Sequence, residues 1–259
     1  MCLIAFNWQP AEGRLLLLAN RDEFYARPTE PARWWPDQPY LWAGRDLQAG
    51  GTWLGITRAG RFAALTNVRE GAPRAGKRSR GELVTGFLTG QQGPAEYMQQ
   101  MLQHGHDYAG FNLLAGDVLK GELYYGGNRT GAPAYALDPG IYGLSNGLLN
   151  TPWPKTLRLK RGLAALDHKD EKAPLALLSD ATQAPDGRLP DTGIPFELER
   201  RLSSIFITGD DYGTRAQTVL QVERSRVTIT EQGRGPQGSM LETSRAGWQL
   251  RERECAVHD

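Results

Sequence analysis

The sequence predicts an α+β protein in which antiparallel sheets carry helices on their outer faces. Three observations predict it. The chain holds 31 glycines and 16 prolines in 259 residues, more than a helix bundle tolerates, because both residues interrupt helices and serve turns. Its apolar runs are strand-sized, as in Leu15 to Ala19. The patterns are also segregated, with strands first, then two helices, strands, a helix or two, and strands again, which is the order of an α+β fold. A chain of this length can bury a core without disulfide or metal staples. No internal repeat or balanced linker divides it, so a single domain over residues 1–259 is expected.

Each element has its own signal. Cys2 to Trp8 and Leu15 to Asn20 are apolar runs joined by a Pro/Gly turn at Gln9 to Gly13, which reads as a buried hairpin. Residues 26 to 51 are rich in Pro, Trp and Asp without a sustained period and read as a long loop packed through Trp34, Trp35, Tyr40 and Trp42. A second hairpin is expected at Thr52 to Thr57 and Phe62 to Asn67, followed by a basic, turn-rich segment from Arg69 to Arg80. Leu83, Val84, Phe87 and Leu88, then Tyr97, Met98, Met101 and Leu102, recur at helical spacing. Strands are expected at Asn112 to Ala115, Glu122 to Tyr125 and Ile141 to Ser145. A helix opened by Pro152 and Pro154 should then carry Leu159, Leu163 and Leu166. After a loop at residues 180 to 195, strands return at Ser204 to Thr208, Arg215 to Glu223 and Val227 to Thr230.

Composition excludes several classes. Thirty Lys plus Arg against 29 Asp plus Glu gives a formal charge of +1, so no global field draws nucleic acid or an anionic membrane, and a dedicated nucleic-acid binder is not expected. The two cysteines, Cys2 and Cys255, lie at opposite ends and form neither a disulfide framework nor a metal pair, which fits a reducing compartment. No apolar run approaches a membrane span, and no cationic segment precedes an apolar one at the start, so a cytoplasmic location is expected. His104, His106, His168 and His258 lack metal-ligand spacing, and no metal is inferred.

The residues that can carry chemistry begin at Cys2. Removal of Met1 would place a thiol and a free α-amine on one residue, a nucleophile with its own base. With reference pKa values of roughly 8.5 and roughly 7.7 to 8.0, both groups are only modestly reactive near pH 7 unless tuned. The same residue also suits a small apolar core position. Asn20-Arg21-Asp22-Glu23 is a dense polar cluster adjoining a core strand, and antiparallel pairing would return it to the neighbourhood of Cys2. There Asp22 can orient the ammonium and Arg21 can lower the amine pKa; an ion pair closing the strand end is the other use. Gly143-Leu144-Ser145-Asn146-Gly147 matches the G-x-S-x-G nucleophile elbow, but Pro152 and Pro154 postpone the helix that this motif needs. Asn146 is the more useful member, as an amide donor to an oxyanion. Arg215 heads a late strand as a second cation for the site. Arg69, Arg74, Lys77, Arg78 and Arg80 suit either the anionic groups of a ligand or a solvated loop.

Taken together, Met1-Cys2-Leu3-Ile4, Leu18-Ala19-Asn20-Arg21-Asp22-Glu23-Phe24-Tyr25-Ala26-Arg27-Pro28 and Gly50-Gly51-Thr52-Trp53-Leu54-Gly55 closely resemble the NRDE, or transport and Golgi organization protein 2-like, family. So do Ala64-Leu65-Thr66-Asn67, Arg80-Gly81-Glu82-Leu83-Val84, Gly110-Phe111-Asn112-Leu113, Tyr142-Gly143-Leu144-Ser145-Asn146 and Tyr212-Gly213-Thr214-Arg215. The blocks cover the chain to about residue 230. The resemblance implies kinship with N-terminal-nucleophile (Ntn) hydrolases of the cholylglycine hydrolase and penicillin V acylase type, and hence a four-layer αββα sandwich of two mostly antiparallel sheets. It further implies Cys2 as nucleophile and base, Asp22 orienting the amine, Asn67 and Asn146 as oxyanion or amine contacts, and Arg215 as the site arginine. Those hydrolases carry an arginine three residues before the aspartate, where this sequence has Ala19.

The expected function is therefore Cys2-dependent hydrolysis of an amide or thioester of a hydrophobic acyl compound, with no cofactor required. The same family resemblance supports an alternative, a non-catalytic trafficking protein that binds haem or a lipid in the same cleft. For that use, Trp34, Trp35 and Trp42 would offer aromatic surface and the basic segment would meet anionic groups.

Overall fold

The computed structural model describes residues 2–71, 76–167, 170 and 172–250. Arg74, His168, Cys255 and His258 lie outside the described residues. β1 (Cys2–Gln9) and β2 (Arg14–Phe24) form the first hairpin, turning through Gly13, whose φ of +62° is a left-handed value that glycine adopts without strain. β3 (Thr29–Trp35), β4 (Gln38–Asp46), β5 (Leu54–Thr57) and β6 (Arg61–Asn67) follow, then α1 (Gly81–Thr89) and α2 (Pro94–Gln103). Next come β7 (Phe111–Asp117), β8 (Glu122–Gly127), β9 (Tyr135–Ala136) and β10 (Gly140–Leu144). α3 (Pro154–Ala164), α4 (Ala173–Leu178) and α5 (Phe196–Arg201) lead to β11 (Tyr212–Glu223), β12 (Arg226–Arg234) and β13 (Met240–Gln249).

Both sheets are antiparallel throughout. One has six strands in the order β10-β1-β2-β11-β12-β13, and the other is a seven-stranded meander from β3 to β9. Side-chain alternation along β1 and β2 explains the layering. Ile4, Phe6, Trp8, Leu15 and Leu17 point inward and meet Trp42, Ile56, Phe62 and Leu114 of the second sheet in the core between the sheets. Leu3, Ala5, Leu16 and Leu18 point the other way, against Leu159 and Leu163 of α3 and Leu178 of α4. On the far side, Leu41, Ala63, Leu113 and Ala115 pack against Val84, Phe87 and Leu88 of α1 and Met98 of α2. The result is the expected four-layer αββα sandwich.

Three local expectations are corrected. Residues 26–51 are not a loop, since most of them form β3 and β4. Their pairing slips between Glu30 and Arg33 and again between Trp34 and Trp35, and these irregularities break the period-2 signal. Ser204 to Thr208 is irregular, with Ser204 to Ile207 buried: the Phe206 N–H donates to the Asp180 carbonyl, and the Ile207 N–H and carbonyl bond to the Thr214 hydroxyl and N–H of β11 without continuing into a ladder. The chain also ends its described part in an edge strand, β13, that the apolar pattern did not mark: Met240 and Leu241 are exposed.

Candidate functional site

Antiparallel pairing makes Cys2 and Arg21 direct cross-strand partners, so both side chains emerge on the inter-sheet face. Cys2 is 8% exposed and is the free cysteine among the described residues. Arg21 lies over the Trp53 ring, 4.4 Å from its centroid, and its nearest carboxylate is Glu23 at 3.8 Å. One of the Arg21 guanidinium nitrogens is buried without a hydrogen-bond partner. Asp22, one residue on, faces the α3 layer instead. It pairs across to Thr214 of β11, whose hydroxyl donates to its carboxylate at 2.7 Å. Cys2 and Asp22 nevertheless line one cleft of about 490 Å³ at the strand ends, together with Arg21, Trp53, Leu65 and Asn67. Its rim is charged, through Glu23, Arg27, Asp46, Lys77, Arg78 and Arg80. Close backbone approach shapes the far wall: a Cβ on Gly51 would stand 2.7 Å from the Gly81 carbonyl carbon, which accounts for the glycine at that position.

Burial dominates the electrostatics. It pushes the Cys2 thiol up, with the Asp22 charge adding to the effect and Arg21 opposing it. It also raises the Asp22 carboxyl, against which Lys155 and the Thr214 hydrogen bond act. Lys155 itself is 2% exposed at the start of α3, and burial brings its ammonium down to about 8.

The expected site residues divide into three groups. Cys2, Arg21, Asp22 and Asn67 come together at the cleft. Asn146 is adjacent but fully buried; its amide donates to the Asn67 carbonyl at 3.0 Å, and its own carbonyl accepts the Arg69 N–H at 2.7 Å, so it fastens the end of β6 to the end of β10. Arg215 is not brought in. The pairing of β11 with β2 shifts between Thr214 and Ala216, leaving Arg215 as the extra residue of a bulge. Its guanidinium donates to the carbonyls of Phe24 and Arg27. The elbow serine, Ser145, donates to the Cys2 carbonyl at 3.4 Å and is followed by a turn.

The basic set also divides. Lys77, Arg78 and Arg80 border the cleft, whereas Arg69 is buried in an ion pair with Glu199 of α5 and lies over Trp153. Trp35 and Trp42 pack in the two cores, and Trp34 lies against Trp248 and Arg58. The aromatic residue at the cleft is Trp53. Sequence reasoning missed Thr214 and Lys155. Thr214 stood beside the more conspicuous arginine. Lys155 carried a usable signal, because a cation in the first turn of a helix opposes the helix dipole and calls for an anion.

Two face-packed antiparallel sheets between helical layers, with a cysteine heading an inner strand at a polar cleft, define a four-layer αββα protein with a candidate thiol site. Sequence comparison gives the family. The model of the Transport and Golgi organisation 2 family matches residues 1–235, and the chain belongs to that family. The Transport and Golgi organization 2 homolog of Mus musculus is 35% identical over 280 residues, covering 99% of each chain. The human homolog is likewise 35% identical over 280 residues with 99% of each chain covered. Among solved structures, the C2A mutant of conjugated bile acid hydrolase from Clostridium perfringens aligns at a TM-score of 0.47 and 10% identity, covering 99% of this chain and 100% of its own. The Caenorhabditis elegans ortholog of N-acylethanolamine-hydrolyzing acid amidase aligns at 0.45 and 13%, covering 78% and 98%. No helix among the described residues is long and apolar enough to cross a membrane.

Proposed function

We propose that the protein is a Cys2-dependent N-terminal-nucleophile hydrolase of an amide or thioester of a hydrophobic acyl compound. The single observation that carries the reading is the placement of Cys2: it heads β1 at the wall of the cleft, and its cross-strand neighbourhood holds Arg21 and Asp22. A thiol whose pKa burial raises is a weak nucleophile near neutral pH and needs a base. The α-amine of Cys2 would supply it once Met1 is removed. Its ordinary pKa of roughly 7.7 to 8.0 suits the task, and Asp22, on the far side of the strand end, would hold the ammonium.

In this mechanism the sulfur attacks the carbonyl carbon while its proton passes to the α-amine. The tetrahedral intermediate collapses to a Cys2 thioester as the ammonium gives its proton to the departing amine or thiol. Water, activated by the same amine, then attacks the thioester, releasing the acid and restoring the thiol. Asn67 at the cleft wall would donate to the oxyanion, a contribution of roughly 2.7 to 4 kcal/mol for one such donor, and Asn146 would hold Asn67 in place. Trp53 and Leu65 offer apolar surface to the acyl chain, while the charged rim would face the polar part of the substrate. A cleft of about 490 Å³ is large enough for one small molecule.

The test is turnover of acyl-thioesters and acyl-amides by the parent and by Cys2→Ala, with intact-protein mass spectrometry reporting the state of Met1. Equal turnover by the two proteins removes the reading, and so does activity confined to a form that retains Met1.

A further inference from the structure

We propose that Lys155 is a positioning residue of the candidate site: buried at the start of α3 on the same sheet face as Asp22, it supplies the positive charge that keeps Asp22 a carboxylate. Its importance to catalysis rests on the hydrolase reading; the charge coupling does not.

Three observations carry this inference. Lys155 is almost fully buried, and its ammonium nitrogen has no hydrogen-bond partner. A buried ammonium in that state is costly and persists where a nearby negative charge offsets the cost. Second, Lys155 is the second residue of α3, where the helix N-terminus carries positive partial charge, so local structure opposes a cation there as well. α3 is pressed onto the sheet at this end, since a Cβ on Gly143 of β10 would stand 2.5 Å from the Thr156 methyl, and Lys155 beside it is 2% exposed. Third, Asp22 is the charge that most strongly supports the ammonium of Lys155, and Lys155 is the charge that most strongly supports the carboxylate of Asp22.

The other groups facing this pair do not replace Lys155. Arg69 also favours the Asp22 carboxylate, but less than Lys155 does, and its guanidinium is paired with Glu199. Thr214 donates a neutral hydrogen bond to Asp22. The Cys2 thiol and the Tyr212 hydroxyl can add only negative charge when they ionise, and both are held up by burial. The Cys2 α-ammonium of the proposed mechanism is the cation that Asp22 would hold, and it is absent whenever that amine is the free base. Removing the charge of Lys155 therefore leaves Asp22 buried with weaker support, and its carboxyl binds a proton at higher pH. A protonated Asp22 cannot hold the ammonium that the mechanism requires at Cys2.

The experiment is a carbon-13 NMR titration of the Asp22 carboxyl, assigned by its loss in Asp22→Asn, in the parent, Lys155→Met and Lys155→Arg. The expected result is an upward move of the Asp22 midpoint by at least about one pH unit in Lys155→Met, a tenfold change in proton affinity, and its return toward the parent value in Lys155→Arg. An unchanged midpoint in Lys155→Met overturns the proposal. Should Lys155→Met fail to fold, the side-chain carbon of Lys155 is titrated in the parent and in Asp22→Asn. Its midpoint should fall when the carboxylate is gone, and an unmoved midpoint is equally fatal. Neither arm uses a substrate, so failure of the hydrolase reading in the Cys2→Ala assay is distinguishable from failure of the lysine–aspartate coupling.

Discussion

Cys2 and Asp22 stand at one strand end on opposite faces of the six-stranded sheet, the thiol sharing the inter-sheet face with Arg21 and the carboxylate facing Thr214 and the α3 layer. The pleat of β2 dictates this, because consecutive residues alternate faces. On the proposed hydrolase reading, Asp22 would therefore act on the main-chain nitrogen at the start of β1 rather than on the sulfur. The two variants should differ accordingly. Cys2→Ala should lose at least about 10³-fold in turnover, as nucleophile deletions do. Asp22→Asn should lose about 10² to 10⁴-fold in kcat, the range of a positioned proton transfer, with a smaller change in KM. Steady-state kinetics on one acyl-thioester decides; an Asp22→Asn defect confined to KM would move the residue to substrate binding.

Arg215 illustrates how a single bulge redirects a side chain. Thr214 pairs with Asp22 and Ala216 with Arg21, so Arg215 is left over and turns to the chain leaving β2. Its contacts with the carbonyls of Phe24 and Arg27 clamp the turn into β3. Arg215→Ala should lower stability by about 0.5 to 1.5 kcal/mol, the net worth of hydrogen bonds whose acceptors water can reach, and should leave the rate of Cys2 alkylation by iodoacetamide within about twofold of the parent. Urea denaturation and thiol labelling test both halves, and a tenfold change in labelling with intact stability would restore Arg215 to the site.

Arg69 and Glu199 form a buried ion pair that fastens α5 to the chain following β6. Glu199 also accepts from the Thr192 N–H at 3.0 Å, so one carboxylate organises two segments. Burial opposes the charge on Arg69, and Glu199 sustains it. Removal of one partner leaves an uncompensated buried charge, and Arg69→Met should cost about 3 to 5 kcal/mol. The double variant Arg69→Met/Glu199→Leu should recover part of that loss. A double-mutant cycle by denaturant unfolding measures it; additive losses would show that the pair is not coupled.

How much of this was legible in the sequence follows from how local each signal is. The β1–β2 hairpin and the two helices on the second sheet were readable because their apolar residues keep one period over the whole element, as in Leu83, Val84, Phe87 and Leu88. β3 and β4 were hidden by pairing irregularities that put Trp34 and Trp35 out of alternation, and β13 by the exposure of an edge strand. At the site, the proximity of Cys2 to Arg21 and Asp22 was available from hairpin arithmetic alone. The opposite facing of Cys2 and Asp22 was available too, from strand parity. Lys155 is coupled electrostatically to Asp22 across the packing of α3 on the sheet, and although a cation in the first turn of a helix hints at a nearby anion, no local pattern says which distant residue supplies it. The displacement of Arg215 depends on a bulge, which composition does not mark.

Glu231 on β12 is buried between the sheets, where it accepts the Ala32 N–H at 2.8 Å and the Thr218 hydroxyl at 3.3 Å. Burial pushes its carboxyl up from 4.5 to about 7, against the Ala32 and Thr218 hydrogen bonds and the more distant Arg21. In the unfolded chain the same group titrates near its ordinary value, so between about pH 4.5 and 7 the folded protein binds the extra proton. Stability linked to this group is fully present below the unfolded value and is lost as pH rises through the folded one. Glu231→Gln keeps an acceptor for Ala32 and removes the ionisation. The variant should match or fall slightly below the parent near pH 4.5 and exceed it by about 1 to 3 kcal/mol at pH 8. Thermal unfolding of both proteins from pH 4.5 to 8 measures the divergence, and parallel profiles would mean that Glu231 does not titrate differently on folding.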